Sequence, residues 1–350
     1  MKPKVLIFTP GGAGGAERMS VLIGKLLPKD QFDVKFVIIG RLRKIYNILP
    51  DDYHIDCIPV RNRYAFSTLR IWWKIIHEKP DVVFTSQEAY NPRVIIASKL
   101  ARKKVVVRSS NMIGSYTKSR YRLVVMTYPW ADIIIAQQEQ MKEEMIKLLK
   151  TNPNKIVTIH NPIDTTNINL LCKSPSPFPE DGSINFVNVA RINHAKAQDI
   201  AIKALKIVKR TIPNAHLYFV GGYSKKSDYY TNLINLVKQF HLEECVHFIG
   251  YDNNPYKWVK NSNCFILPSR IEGLPNALIE ASYLNVPCVA SRCLDIIDDI
   301  IKNGQNGYVV NVNDIEKFAQ AMIESIKIKD CKMTYKPGNG QDFISLLKSI

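Results

Sequence analysis

A chain of 350 residues exceeds one ordinary domain, and its 46% apolar content allows a core in each of two domains of about 150 to 200 residues. No apolar run reaches the roughly 18 residues that span a bilayer, and the basic start of residues 1–8 meets Pro10-Gly11-Gly12 too early for a signal peptide, so a cytosolic protein is expected. The net charge of +17 is lopsided: residues 1–170 hold 27 Lys and Arg against 14 Asp and Glu, whereas residues 171–350 hold 21 against 17.

In chain order, short β-branched runs at 5–9, 34–39, 55–60, 82–86, 105–108, 133–136 and 156–160 read as strands buried on both faces. Amphipathic segments such as 17–27 and 138–149 supply crossover helices between them, which predicts a doubly wound parallel sheet. The first strand runs into Pro10-Gly11-Gly12-Ala13-Gly14-Gly15-Ala16-Glu17, a turn whose backbone N–H groups can approach an anion at a helix start. Such a turn can also be purely structural. A dinucleotide fingerprint counted from Gly12 meets Glu17 at its third glycine, and the second strand ends in Gly40-Arg41 with no acid to hold a ribose, which disfavours a dehydrogenase.

Most of the excess charge lies in Arg41/Arg43/Lys44, Arg61/Arg63, Arg102/Lys103/Lys104 and Lys118/Arg120/Arg122. The segment "TLRIWWKIIHEK" at 68–79 sets Trp72, Trp73, Ile75 and Ile76 among Arg70, Lys74 and Lys79. That mixture suits an anionic membrane surface; a helix with its aromatic side in the core and its cations in water is the competing reading. No nucleic-acid module accompanies the charge, so nucleic acid is not an expected partner.

Three prolines within 175–179 mark an interdomain linker at 166–183, leaving an amino-terminal domain of residues 1–165 and a carboxy-terminal domain of residues 184–335. Strands resume at 184–190, 216–221, 246–250, 264–267, 287–290 and 308–310, and residues 336–350 end in a helix that can pack on either domain. The fold class is therefore α/β, with two Rossmann-like doubly wound parallel-sheet domains facing a cleft, the default place for a ligand. The seven cysteines show no C-x-x-C pair, so neither zinc nor a disulfide framework is expected.

Two further motifs follow strands of the second domain. Arg191-Ile192-Asn193-His194-Ala195-Lys196 puts two cations past a strand end, where Arg can fork two oxygens of a diphosphate and Lys can add a point charge. Arg270-Ile271-Glu272-Gly273-Leu274-Pro275-Asn276-Ala277-Leu278-Ile279-Glu280 sets Pro275 at the first turn of a helix. The N–H groups of Asn276 and Ala277 are expected to stay free, with Glu272 at the mouth of a pocket and Glu280 deeper inside it. Paired acids can equally cap and solubilise a helix.

The spacing of Glu272 and Glu280 within "EGLPNALIEA", the Arg191/Lys196 pair and the early "GGAGGAE" resemble the retaining glycosyltransferase family 4 of GT-B fold, over nearly the whole chain. The "GGAERM" opening and "FIGYDNNPYKWV" at 248–259 are similar to bacterial enzymes that extend lipid-linked glycans, capsule or O-antigen. The resemblance implies a hexose or N-acetylhexosamine moved from a nucleotide diphosphate sugar, UDP-linked, to a polyprenyl diphosphate-linked glycan at the inner face of the cell membrane. It implies Arg191 and Lys196 at the donor diphosphate, Glu280 at the ribose and Glu272 at the transferred sugar. Gly273, Leu274, Asn276 and Ala277 would touch sugar and phosphate, Gly250 would begin the loop holding the base, and Gly14 and Gly15 would close over the donor. Relatives carry a donor-contacting histidine after the fifth strand, where this chain has Ser109-Ser110-Asn111; Asn111 is the positional candidate, and Glu17 a second candidate for sugar or acceptor.

No two aspartates are separated by one residue, so no metal-holding Asp-x-Asp pair exists and no metal or other cofactor is expected. Charge developing on the departing diphosphate would then fall to Arg191, Lys196 and the helix end. A UDP-sugar epimerase of the same architecture is the alternative, distinguished by needing no acceptor.

Overall fold

The computed structural model describes residues 2–12, 14–40, 45, 49, 52–59 and 67–350. The basic clusters Arg41/Arg43/Lys44 and Arg61/Arg63 lie outside these described residues. The chain divides into two compact units, unit 1 of residues 1–163 and 337–350 and unit 2 of residues 164–336.

In unit 1 the β-branched runs form β1 (Lys4–Pro10), β2 (Asp33–Ile39), β3 (His54–Ile58), β4 (Val82–Thr85), β5 (Lys104–Arg108), β6 (Ile133–Ala136) and β7 (Ile156–Thr158). All pair in parallel, in the order β3-β2-β1-β4-β5-β6-β7. Successive side chains leave a strand on opposite faces. Leu6 and Phe8 thus join Val37, Val83 and Val107 in one core, while Val5 and Ile7 join Phe36, Phe84 and Val106 in the other. Helix α1 (Gly15–Leu26) covers the second face through Met19 and Ile23. The first face is covered by α2 (Ser67–Glu78), α3 (Asn91–Leu100), α4 (Lys118–Thr127) and α5 (Glu139–Leu149). Apolar cover on both sides is why these strands lack polar alternation.

The tryptophan-bearing segment divides its apolar residues between two faces of α2. Ile71 and Ile75 are fully buried and Trp72 packs against the core, whereas Leu69, Trp73 and Ile76 point outward, Trp73 remaining 55% exposed. A second outward apolar stripe follows on α4 and the turn after it, in Leu123, Met126 and Trp130. Residues 89–131, which contain α3 and α4, include nine Lys and Arg and no acid.

Unit 2 contains α6 (Thr165–Leu171), β8 (Ile184–Val189), α7 (Gln198–Val208), β9 (Ala215–Val220), α8 (Asp228–Gln239), β10 (Val246–Gly250) and α9 (Tyr256–Lys260). It continues through β11 (Cys264–Leu267), α10 (Asn276–Tyr283), β12 (Cys288–Ser291), α11 (Ile297–Ile300), β13 (Gly307–Val310) and α12 (Ile315–Ser325). Its parallel sheet has the order β10-β9-β8-β11-β12-β13, repeating that of the first six strands of unit 1. In each sheet the order reverses beside the first strand, between β1 and β4 and between β8 and β11. Loops leaving the carboxyl ends of those strands are where open α/β sheets take ligands.

The linker differs from the sequence expectation, and the last helix takes one of the two packings left open for it. Part of the anticipated linker folds as α6, started by the Asp164 carboxylate accepting from Asn167 N at 3.1 Å. The proline-rich stretch after it seats a buried Phe178 edge-on against Tyr218 and Trp258, with ring centroids 4.9 and 5.5 Å away. One aromatic anchor is enough to dock a segment whose composition suggests only a connection. At the other end, α13 (Gln341–Ser349) buries Phe343 and Leu347 among Val5, Ile7 and Leu27, so the last helix belongs to unit 1.

Candidate active site

The richest constellation lies at the strand-order reversal of unit 2. After β8 the chain makes a short 3-10 turn, His194–Lys196, which the Asn193 side chain starts by accepting from Lys196 N at 3.2 Å. Ala197 follows with φ 52°, a left-handed conformation uncommon for a residue carrying Cβ. The turn aims Lys196 at the loop after β11, where its Nζ stands 2.6 Å from Glu272 Oε2. Ser269 Oγ donates to Glu272 Oε1 at 2.7 Å. Arg191 is exposed, and no hydrogen bond or ion pair engages its guanidinium among the described residues.

The placement of the two acids corrects the sequence expectation. Glu272, expected at the mouth, is only 6% exposed, whereas Glu280 is half-buried one turn into α10 and accepts from Tyr256 OH at 3.4 Å. A carboxylate can be withdrawn from water when a cation and a hydroxyl occupy its oxygens, as Lys196 and Ser269 do here. The helix start differs as well: Asn276 N–H is not free but turns back onto Leu274 O at 2.9 Å, and Pro275 sits one residue before the first helical position. Gly273 and Leu274 are buried, and Asn276 and Ala277 are partly exposed at the same loop. Cys293 senses both members of the ion pair; burial first, then the Glu272 carboxylate, pushes its thiol up to about 12, so it stays protonated and offers no thiolate nucleophile.

Gly250 ends β10 with φ 83°, at a register irregularity with β9, and its carbonyl accepts from Gly221 N at 2.7 Å. Gly221 was not anticipated as a site residue. A Cβ there would lie 1.9 Å from Ala190 O, so the β8 and β9 ends can approach only because no side chain intervenes. The "VGG" after a strand was the available signal. Arg270 and Asp199 were also missed: Arg270 Nη1 and Nη2 meet the two Asp199 oxygens at 2.9 and 2.7 Å. Burial works to raise the Asp199 pKa, but the hydrogen bonds from Arg270 and Tyr229 prevail and hold it below the usual carboxylate value.

In unit 1, Gly14 is the residue before α1 and Gly15 opens it. The Glu17 carboxylate folds back over this turn: a Cβ on Gly12 or Gly14 would stand 2.7 Å from one or other of its oxygens. Asn111 Nδ2 donates to Glu88 Oε1 at 2.7 Å, and Tyr116 OH donates to Asn111 O at 3.2 Å. Glu88, buried in the loop after β4, was not foreseen, because nothing near it in sequence marks it. Behind the pair lies Arg108, 1% exposed, whose Nη2 bonds Asn161 Oδ1 while its Nε and Nη1 have no partner among the described residues. Burial lowers its pKa to about 10 against the opposing pull of Glu88, which leaves it a cation.

The structure therefore brings Lys196, Glu272 and Ser269 into direct contact in unit 2, and Asn111 onto Glu88 in unit 1. Among the described residues, no group of three or more His, Cys, Asp or Glu side chains could hold a metal ion, and no helix is long and apolar enough to cross a membrane.

Comparison with known proteins follows the same division. A family model described as Glycosyltransferase Family 4 matches residues 13–167, and one described as Glycosyl transferases group 1 matches residues 173–338. A glycosyltransferase of Methanocaldococcus jannaschii is 31% identical over 240 residues, 63% of this chain, which spans 58% of that relative's length. The UDP-Gal:α-D-GlcNAc-diphosphoundecaprenol α-1,3-galactosyltransferase of Escherichia coli is 25% identical over 351 residues, covering 91% of this chain and 88% of its own. The crystal structure of Anabaena HepE in complex with UDP and glucose superposes with a TM-score of 0.84 at 17% identity, over 99% of this chain and 100% of that one. With both units matched in register and the architecture shared end to end, the chain belongs to glycosyltransferase family 4 and has the GT-B fold.

Proposed function

We propose that this glycosyltransferase moves a hexose or N-acetylhexosamine from a UDP-linked donor to a lipid-linked glycan, with retention at the anomeric carbon and without a metal ion. The observation that carries the reading is the Lys196–Glu272 ion pair at the strand-order reversal of unit 2, on the loop that also carries Arg191, whose exposed guanidinium has no partner among the described residues. A site with one engaged and one waiting cation suits a diphosphate: Arg191 forks its oxygens and Lys196 adds charge. Glu272 accepts from hydroxyls of the transferred sugar and Glu280 from the ribose. Gly273, Leu274, Asn276 and Ala277 line sugar and phosphate, and the loop after Gly250 takes the base. Unit 1, with Glu17 and Asn111 as its candidate sugar or acceptor contacts, is the acceptor unit.

In the reaction the anomeric C–O bond breaks and its electron pair leaves with the diphosphate, whose growing charge Arg191 and Lys196 stabilise. An acceptor hydroxyl attacks the same face, and its proton passes to a departing phosphate oxygen. Glu272, committed to Lys196 and Ser269, serves as a hydrogen-bond acceptor and not as a nucleophile. The donor and the polyprenyl diphosphate acceptor named for the Escherichia coli relative, and the UDP bound by HepE, support this choice of substrates.

The outward apolar stripes on α2 and α4, the latter set in the acid-free basic sequence of residues 89–131, support placement on an anionic membrane face. Each surface cation contributes about 1 kcal/mol to such binding. The test is incubation with UDP-sugars, with and without a polyprenyl diphosphate-linked glycan. Product is expected only with acceptor; conversion of UDP-sugar to its epimer without acceptor would establish the epimerase reading in its place.

A further inference from the structure

We propose that Arg270 is a positioning residue that fixes the geometry of the donor site by locking three loops together. This rests on the reading of Arg191, Lys196 and Glu272 as the donor-diphosphate and sugar site. Arg270 lies two residues before Glu272, at the carboxyl end of β11. Its guanidinium spends its donors on neighbouring loops: Nη1 on His194 O at 3.1 Å and Asp199 Oδ1 at 2.9 Å, Nη2 on Asp199 Oδ2 at 2.7 Å, and Nε on Asn313 Oδ1 at 3.1 Å. Its backbone N–H donates to Ala195 O at 2.8 Å, and Ile271 N–H follows to the same oxygen at 3.2 Å. One residue thereby ties the loops after β8, β11 and β13.

The tie points bracket Lys196. His194 and Ala195 precede it, Asp199 follows it, and Ala197 between them holds its left-handed φ of 52°. Such a conformation persists where the surroundings over-determine it, and the Arg270 contacts on either side of Ala197 add to the Asn193 cap in holding the turn. Asp199 is itself fixed, accepting from Tyr229 OH at 2.7 Å while donating its N–H to the same oxygen at 3.3 Å. His194 packs edge-on against the Tyr229 ring at 5.9 Å between centroids. Arg270 is thus committed to the protein and unavailable to the donor, so it acts through Lys196 and Glu272. A planar fork is required, because an ammonium cannot meet both Asp199 oxygens and Asn313 at once.

The test uses full-length protein, with UDP in EDTA as the calorimetric probe and hydrogen exchange at the amides of residues 193–197. R270K and D199N are compared with wild type and with R270K/D199N. We expect folded variants in which the 193–197 amides exchange faster, amides of β8 and β11 are unchanged, and UDP affinity falls about tenfold or more. The double variant should be no weaker than the worse single one, as for members of one unit. Asn313→Ala, which removes one tie at the rim, should weaken UDP binding less and serves if R270K fails to fold. A folded R270K that binds UDP within about twofold of wild type, or exchanges at wild-type rates, overturns the proposal. Wild-type protein that binds no UDP overturns the reading of the donor site and the Arg270 role with it; binding in wild type that R270K leaves intact overturns the Arg270 role alone.

Discussion

Replacing Lys196 by Ala should destabilise unit 2 chiefly by stranding Glu272. The wild-type carboxylate is 6% exposed and ion-paired at 2.6 Å. Breaking a fully buried pair from one side costs about 3–5 kcal/mol, mostly from the uncompensated charge left behind. Here Lys196 keeps 26% of its side chain in water and Ser269 still holds one carboxylate oxygen, which brings the expected loss to about 2–3 kcal/mol. For a unit of this size each kcal/mol lowers the midpoint by about 2–4 °C, so K196A should melt about 4–12 °C below wild type. Glu272→Gln in the same chain removes the stranded charge while its side-chain oxygen still accepts from Ser269. The double variant K196A/E272Q should therefore recover most of the loss, to within about 1 kcal/mol of wild type. Thermal and urea unfolding followed by circular dichroism report both numbers. The reasoning fails if K196A melts within 1 °C or so of wild type, or if the double variant is as unstable as K196A.

Gly221→Ala puts Cβ 1.9 Å from Ala190 O and must separate the ends of β8 and β9, at a cost of about 3 kcal/mol in urea unfolding and with loss of UDP binding. Acid sensitivity follows from two depressed carboxylates. Burial works against both, but Arg270 and Tyr229 hold Asp199 down, and Lys35, Lys4 and Lys74 hold Glu78 down, from ordinary values of 3.8 and 4.5. Their stabilisation is complete above those ordinary values and is lost as pH falls toward the lowered folded-state ones. The urea midpoint should therefore be flat near neutrality and drop below about pH 4, and D199N should flatten the drop. On anionic vesicles, binding should weaken steeply between low and physiological salt, and W73A/W130A should weaken it further while the protein stays folded. Salt-independent binding, or none, would count against the membrane placement.

The strands were legible because runs buried on both faces are continuous in sequence, and all 13 described strands fall within a residue or two of the expected positions. The chemistry-bearing residue types were legible too, since Arg191, Lys196, Glu272 and Glu280 follow strand ends. What the sequence hides is pairing across long separations. Glu272 is drawn inward by a lysine 76 residues away, and Arg270 finds Asp199 at a separation of 71. The need for glycine at 221 comes from the Ala190 carbonyl on a neighbouring strand, and Asn111 acquires its partner from the loop after β4. Docking of the proline-rich segment rests on Phe178 and that of α13 on Phe343 and Leu347, whose pockets exist only once the sheets have formed.

The most direct measurement is calorimetric titration of UDP into wild type, R191A and K196A/E272Q, each in EDTA and again with magnesium. The account predicts wild-type binding of equal strength in both buffers, weakened about 100-fold or more in the variants while they remain folded. Binding that requires magnesium, or that survives the loss of Arg191 and Lys196, would contradict it.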